Sequence, residues 1–225
     1  MSPNVSYRTA SDINVAMARV YNNMFLAVLT SMVVSYFVGN SPELLQFFFT
    51  GITKWVVIFA PLAYIFAVPF LLNSGIGRFG KLMVLHSFAA LMGLSFATIF
   101  AVYTIGSIFS AFMGAAVLFG TLSAYGYFTK KDLNSVGRFM FVGLIAIIIA
   151  AIINIFIGST VFAMVISTLA IIIFLGLTAY DTQKIREQIM YGNFDDNAEI
   201  SGALTLYLDF INLFINLLQL FGNRK

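Results

Sequence analysis

Seven long apolar runs separated by short polar breaks make up nearly the whole of this chain. They cover residues 21–38, 55–72, 82–103, 108–128, 139–157, 161–180 and 203–221. Each is close to the roughly 20 residues a helix needs to cross the hydrocarbon of a bilayer. The pattern predicts an all-α integral membrane protein with seven transmembrane helices in a single domain, 1–225. Residues 1–20 are more polar and carry Arg8 and Arg19. They lack the basic–apolar–small order of a cleavable signal peptide and read as a retained cytoplasmic tail. No Pro- or Ser-rich linker and no internal repeat divides the sequence.

Composition agrees with that class. Apolar residues make up 60% of the chain and charged residues 9%, with a mean hydropathy of +0.96, whereas soluble domains are about 25% charged. Lipid must cover the apolar surface that one core of this size cannot bury. The absence of cysteine excludes disulfides, thiolate metal sites and a cysteine nucleophile, and a single His excludes a multi-histidine metal site. The net charge of +3 sits in short loops, which points to membrane topology and not to a nucleic-acid partner.

Loop charges predict the orientation. Arg8, Arg19, Arg78, Lys81, Lys130, Lys131, Arg138, Lys184 and Arg186 fall in segments that share one side, against Lys54, Arg224 and Lys225 on the other. The positive-inside rule then places the N-terminus in the cytoplasm. Seven spans leave the C-terminus outside; a re-entrant last helix would return it. Small residues mark candidate close helix contacts: Ala90, Gly93, Ala97 and Ala101 in the third run, and the pairs Ser110/Gly114 and Ala116/Gly120 in the fourth. Pro61 and Pro69 free backbone carbonyls in the second run, which fits a kinked packing helix or a gate.

The last run carries the chemistry. At 100° per residue, Thr205, Asp209, Asn212, Asn216 and Gln219 fall within an arc of roughly 80°, and Gly202 extends that face by a turn. Polar groups in hydrocarbon cost free energy, so this face is expected to look into the bundle or a wet cavity. An intramembrane Asp is a functional hypothesis by default; its plainer alternative is a protonated, hydrogen-bonded packing residue. The second candidate, Asp181, lies where the sixth run ends, on a helix expected to continue through Gln188. Consecutive spans are antiparallel neighbours, so Asp181 and Asp209 can meet. Two carboxylates in contact in low dielectric cannot both ionise cheaply and would share a proton, which makes a pH-sensing latch. Ionised, the same oxygens suit a hard cation such as Ca²⁺.

The remaining polar residues suggest less. His86 reads as a packing histidine. Arg78 is a candidate ion-pair partner for either aspartate, and otherwise one of the charges that set topology. Asp195, Asp196 and Glu199 read as solvated loop residues or as a cation-attracting mouth. Gly-rich phosphate loops, a Gly-x-Ser-x-Gly elbow and a His-Glu-x-x-His motif are all absent. Neither an enzyme nor a bound cofactor is expected.

The segment Ala179-Tyr180-Asp181-Thr182-Gln183-Lys184-Ile185, followed by Gly202-Ala203-Leu204-Thr205-Leu206-Tyr207-Leu208-Asp209-Phe210-Ile211-Asn212-Leu213-Phe214, resembles the Bax inhibitor family of transmembrane Bax-inhibitor-motif proteins. The similarity is closest to prokaryotic members. It extends over nearly the whole chain, including Tyr125-Gly126-Tyr127 and Thr129-Lys130-Lys131-Asp132-Leu133. The resemblance implies six helices around a central seventh and a pH-sensitive calcium leak gated by an aspartate pair, here Asp181 and Asp209. It implies a prokaryotic inner (plasma) membrane location. It also links such proteins to membrane-protein quality control through a membrane-anchored AAA-type protease. The alternative function is therefore a non-conducting protein that modulates such a protease. One departure stands out: residues 55–72 contain no acidic residue, where some members carry one.

Overall fold

The computed structural model describes residues 9–192 and 194–225; Arg8 and the first eight residues of the expected tail lie outside the described residues. Among the described residues nine helices form, α1 Ala10–Gly39, α2 Pro42–Phe49, α3 Thr53–Leu72, α4 Arg78–Ser95, α5 Ala97–Val102, α6 Ile105–Phe128, α7 Asn134–Ile157, α8 Thr160–Met190 and α9 Asp196–Phe221. With α4 and α5 taken together as one span bent at Phe96, seven are long and apolar enough to cross a membrane. The protein is a multi-pass helical membrane protein. Of its spans α9 is the most deeply buried and α7 the most exposed.

Three helices outrun their apolar runs. Residues 10–20, expected as tail, form the first turns of α1. Ile13, Ala16, Met17 and Val20 are buried there, at the i, i+3, i+4, i+7 spacing of one helical face. Thr9 and Asp12 cap this end, with the Asp12 N–H donating to Thr9 Oγ1 at 3.2 Å and the Thr9 hydroxyl to Asp12 Oδ2 at 2.7 Å. The tail reading averaged over a polarity that is confined to the opposite face. Helix α8 runs on past its apolar run to Met190, and α9 starts at Asp196, well before the apolar run at 203.

The described residues form two compact units. The first comprises Asn14–Ile105, the described residues of Asn193–Tyr207, and Arg224–Lys225. Its seam joins α1, α4–α5 and the first part of α9, all running parallel. At one end Glu199 of α9 meets Arg78 of α4 and Asn23 of α1. Midway, the Ser31 hydroxyl donates to the Ala89 carbonyl at 2.6 Å and lies 2.7 Å from the Tyr207 hydroxyl. At the far end the Gly39 backbone packs on Ala97 and Phe100, Lys225 N–H donates to the Val102 carbonyl at 2.9 Å and Lys225 Nζ to Phe100 O at 2.7 Å. Gly93 and Ala97 of the predicted small-residue stripe serve this seam, since a Cβ on Gly93 would come within 2.5 Å of the Ser31 carbonyl. Ala101 at its end is exposed.

Helix α3 is unbroken through Pro61 and Pro69 and packs antiparallel on α4. Pro61 has no N–H to offer Val57 four residues earlier, and the Ser95 hydroxyl takes that carbonyl at 2.7 Å. The freed carbonyl is therefore an interhelical tie. His86 of α4 is half-buried, with Nδ1 2.9 Å from the Thr30 hydroxyl, a packing arrangement.

The second unit comprises the described residues of Met1–Ile13, with Gly106–Gly192 and Leu208–Asn223. It holds α6, the α7–α8 hairpin and the rest of α9. Gly158, at φ 68°, caps α7 in the left-handed conformation, and Ser159 opens α8 by accepting the Phe162 N–H. That pair of residues makes a tight reversal. Of the expected pairs on α6, Gly120 and Ser110 are exposed, and Gly120 faces open space. The face that packs is Ala111, Ala115, Phe119, Ser123 and Gly126. Ala and Gly recur around α6, and a pair spacing alone does not choose the packed face.

Ties at the first turn of α9 and at the chain residue Lys225, beyond its end at Phe221, both fall in the first unit. That first turn lies beside the start of α4 and Lys225 beside the end of α5, and the 26 residues of α9 reach about 39 Å. Reporters fused after Lys225 and inserted after Gly192 are therefore expected on opposite sides of the membrane. The same compartment for both would show α9 to be re-entrant.

Candidate functional site

Asp181 and Asp209 both belong to the second unit, and helix α6 aligns them. The Ser123 hydroxyl of α6 lies 2.9 Å from the Thr182 hydroxyl, next to Asp181. One turn away Phe119 sits edge-on to Phe210, next to Asp209, with ring centroids 5.8 Å apart. The α8 segment is held close because glycines face it. A Cβ on Gly126 would collide with the Ala179 carbonyl, and one on Gly137 would lie 2.5 Å from the Tyr180 ring. Gln183 ties the same segment to the α6–α7 loop, accepting the Leu133 N–H at 2.9 Å and donating to Lys131 O at 2.8 Å.

Asp181 is not at the end of its helix. It lies about 14 Å before the end of α8, and Asp209 about 20 Å after the start of α9, at 1.5 Å per residue. Asp209 is 3% exposed and Asp181 half-buried. One oxygen of Asp209, Oδ2, is buried with no hydrogen-bond partner. A buried carboxyl oxygen left without a donor is costly, and a proton on the neighbouring carboxyl is a donor that would satisfy it. Among the described residues no group of three or more His, Cys, Asp or Glu side chains gathers to hold a metal. Two carboxylates supply fewer oxygens than the six to eight that Ca²⁺ takes.

The rest of the polar ladder is turned onto its own helix. Asn212 Nδ2 donates to the Leu208 carbonyl and Asn216 Nδ2 to the Asn212 carbonyl, both at 2.8 Å. The Thr205 hydroxyl donates to Ser201 O at 3.0 Å. Asn212, Asn216 and Thr205 are half-buried, and Gln219 is exposed.

Arg78 is engaged elsewhere than at the aspartate pair. In the first unit its Nη1 donates to Asp196 Oδ1 at 2.7 Å and its Nη2 to Glu199 Oε1 at 2.5 Å. Neither partner is Asp181 or Asp209. Glu199 also receives Asn23 Nδ2 at 2.8 Å and faces Arg19 Nε at 3.4 Å. It is 1% exposed, which corrects the reading of Glu199 as a solvated loop residue; Asp195 is exposed, as expected of one. The missed signal was periodic: Glu199 heads the buried stripe continued by Ala203, Leu206, Phe210 and Leu213. A helix start placed at 203 hid it.

The family model described as "Inhibitor of apoptosis-promoting Bax1" matches residues 13–225. The "Inner membrane protein YbhL" of Escherichia coli K12 is 39% identical over 216 residues, covering 93% of this chain and 92% of that protein. The "Uncharacterized protein RP147" of Rickettsia prowazekii is 36% identical, covering 93% and 89%. An uncharacterized protein of Deinococcus radiodurans is 33% identical, covering 97% and 94%.

The close approach of α6 to α8 yields a direct test. Gly126→Ala is expected to destabilise the protein by about 1–3 kcal/mol, because an inserted methyl meets backbone that cannot move aside. Gly120→Ala on the same helix faces open space and is expected to be neutral or to stabilise by up to about 1 kcal/mol. Thermal unfolding of the two purified variants in detergent reads the difference, and equal midpoints would contradict the packing role of Gly126.

Proposed function

The chain belongs to the Bax inhibitor family, and from that premise we propose that it is a pH-sensitive leak for calcium, closed by a proton shared between Asp181 and Asp209. The observation that carries this reading is the buried, orphaned Oδ2 of Asp209, with the residues next to Asp181 and Asp209 held against the same helix α6 one turn apart. With one proton between them, one carboxyl donates to the other and ties α8 to α9. Without it, two like charges face each other in a medium that screens them poorly, and the helices are driven apart. The separated carboxylates then offer oxygen ligands to a hard cation. Asn212 and Asn216, one and two turns further along α9, supply side-chain amide groups on the same arc. Gln219 continues that arc toward the end of the helix.

The orientation belongs to the same proposal. Nine Lys and Arg in the N-terminal segment and even-numbered loops, against three elsewhere, support a cytoplasmic N-terminus. The relative named as an inner membrane protein supports that membrane as the location. Calcium enters this scheme as the permeant ion, and the bilayer as the solvent of the apolar faces. No resident cofactor and no catalytic residue is required.

Flux into proteoliposomes loaded with a Ca²⁺ indicator tests this. The leak of the parent protein is expected to grow as pH rises through neutrality, because loss of the shared proton opens the path. Asp209→Asn keeps the shape and hydrogen bonding of the protonated group and removes its titration, so the leak should stay low and lose its pH response. Asp181→Asn should do the same. The double variant should add little to either, since the two groups act as one unit. A pH response that survives both single changes would refute the shared-proton gate, and a parent protein without Ca²⁺ flux would refute the leak.

A further inference from the structure

The last helix is held at its first turn by a group of charges that the aspartate pair does not involve. The Glu199 side chain is 2% exposed, whereas the Arg19, Arg78 and Asp196 side chains around it are 48%, 40% and 40% exposed. The carboxylate is thus desolvated and its cationic partners remain wet. Two nitrogens of Arg78 contact both Glu199 oxygens, Nη2 to Oε1 at 2.5 Å and Nη1 to Oε2 at 3.2 Å. Asn23 adds a neutral donor from α1, and Arg19 a second cation. Three helices, α1, α4 and α9, meet at this one carboxylate. A buried ion pair is not by itself strong evidence of stability, but removing one partner strands a charge away from water. Loss of Arg78 would leave Glu199 with Arg19 and Asn23 alone, a poorer compensation for a carboxylate kept from water.

We propose that the Arg78–Glu199 pair, braced by Arg19 and Asn23, is an ionic clamp on the start of α9, and that its release raises the leak at every pH. The coupling to conduction rests on the leak proposed above; the clamp itself does not. Helix α9 is unbroken from Asp196 to Phe221, so the first turn and Asp209 move as parts of one rod. Other ties at the far end, Lys225 to Val102 and Phe100, involve neither Arg78 nor Glu199. Loss of the clamp therefore frees one end of the helix while the other stays docked.

The chain has no cysteine, which makes thiol labelling clean. Ala203 lies one turn beyond Glu199 and is 0% exposed. Ala203→Cys alone is expected to resist a water-soluble maleimide. Adding Arg78→Gln should raise its labelling rate on the order of tenfold or more, because the carboxylate, left with Arg19 and Asn23 alone, is drawn to water. Arg78→Lys, which keeps the charge but not the two-armed contact, should fall between. The exchanged pair Arg78→Glu with Glu199→Arg should restore protection in part. Ca²⁺ flux measured on Arg78→Gln without the cysteine should be raised at acid and alkaline pH alike, with the pH response retained. Unchanged labelling in both Arg78→Gln and Arg78→Lys would overturn the clamp. Raised labelling with unaltered flux, in a protein whose Asp209→Asn variant behaves as predicted, would overturn its coupling to the leak. If Arg78→Gln does not yield folded protein, the Arg78→Lys and exchanged-pair variants decide by the same readouts. Absence of flux from the parent protein would count against the leak alone, because the labelling still judges the clamp.

Discussion

A carboxyl group within a bilayer cannot borrow its hydrogen-bond donors from solvent, so the protein has to bring them. Asp209 lies deep in its span, is 3% exposed and keeps one oxygen without a donor. An ionised carboxylate left so would be among the most costly groups that a membrane protein can hold. In the leak proposed above, Asp181 supplies the remedy, a proton held in common. Much of the second unit reads as the means of bringing that neighbour to the right depth. Helix α8 extends to Met190, and Gly126 and Gly137 let α6 and α7 approach it closely. Gln183 pins it to the α6–α7 loop through two hydrogen bonds.

Helices in lipid gain little from apolar burial against one another, because lipid tails are as apolar as leucine. Close backbone contact and polar ties do the specifying, and both are visible here. Gly93 brings α4 onto α1, Ser95 takes the carbonyl that Pro61 leaves unpaired, and Ser31 links the Ala89 carbonyl to Tyr207. The Arg78–Glu199 contact is the charged counterpart of these ties. It differs from them in setting a charge against a charge, so that losing Arg78 would leave a buried carboxylate poorly compensated.

The spans were legible from residue order because they rest on a local, strong signal. Twenty apolar residues in a row have few alternatives to a membrane helix, and five polar residues on one arc of such a helix are hard to place against lipid. Helix ends were less legible. The first turns of α1 and α9 are amphipathic rather than apolar, so a reading based on apolar runs assigned residues 10–20 to a tail and Glu199 to a solvated loop. Partner choice was the least legible. Nothing in sequence order distinguishes Asp196 and Glu199 from Asp181 and Asp209 as partners for Arg78, because that choice depends on which helices run side by side. The same limit applied to α6, where Gly120 and Gly126 are equally small and only Gly126 meets another backbone.

The shared proton itself is the central claim, and infrared difference spectroscopy reads it most directly. A protonated carboxyl in an apolar site absorbs apart from ionised carboxylates and from the amide bands. In reconstituted protein one such band is expected at acid pH. It should vanish on alkalinisation with the same midpoint as the rise of Ca²⁺ flux, and be missing or displaced in both Asp181→Asn and Asp209→Asn. A spectrum with no titrating protonated carboxyl, or a band unaffected by either substitution, would contradict it.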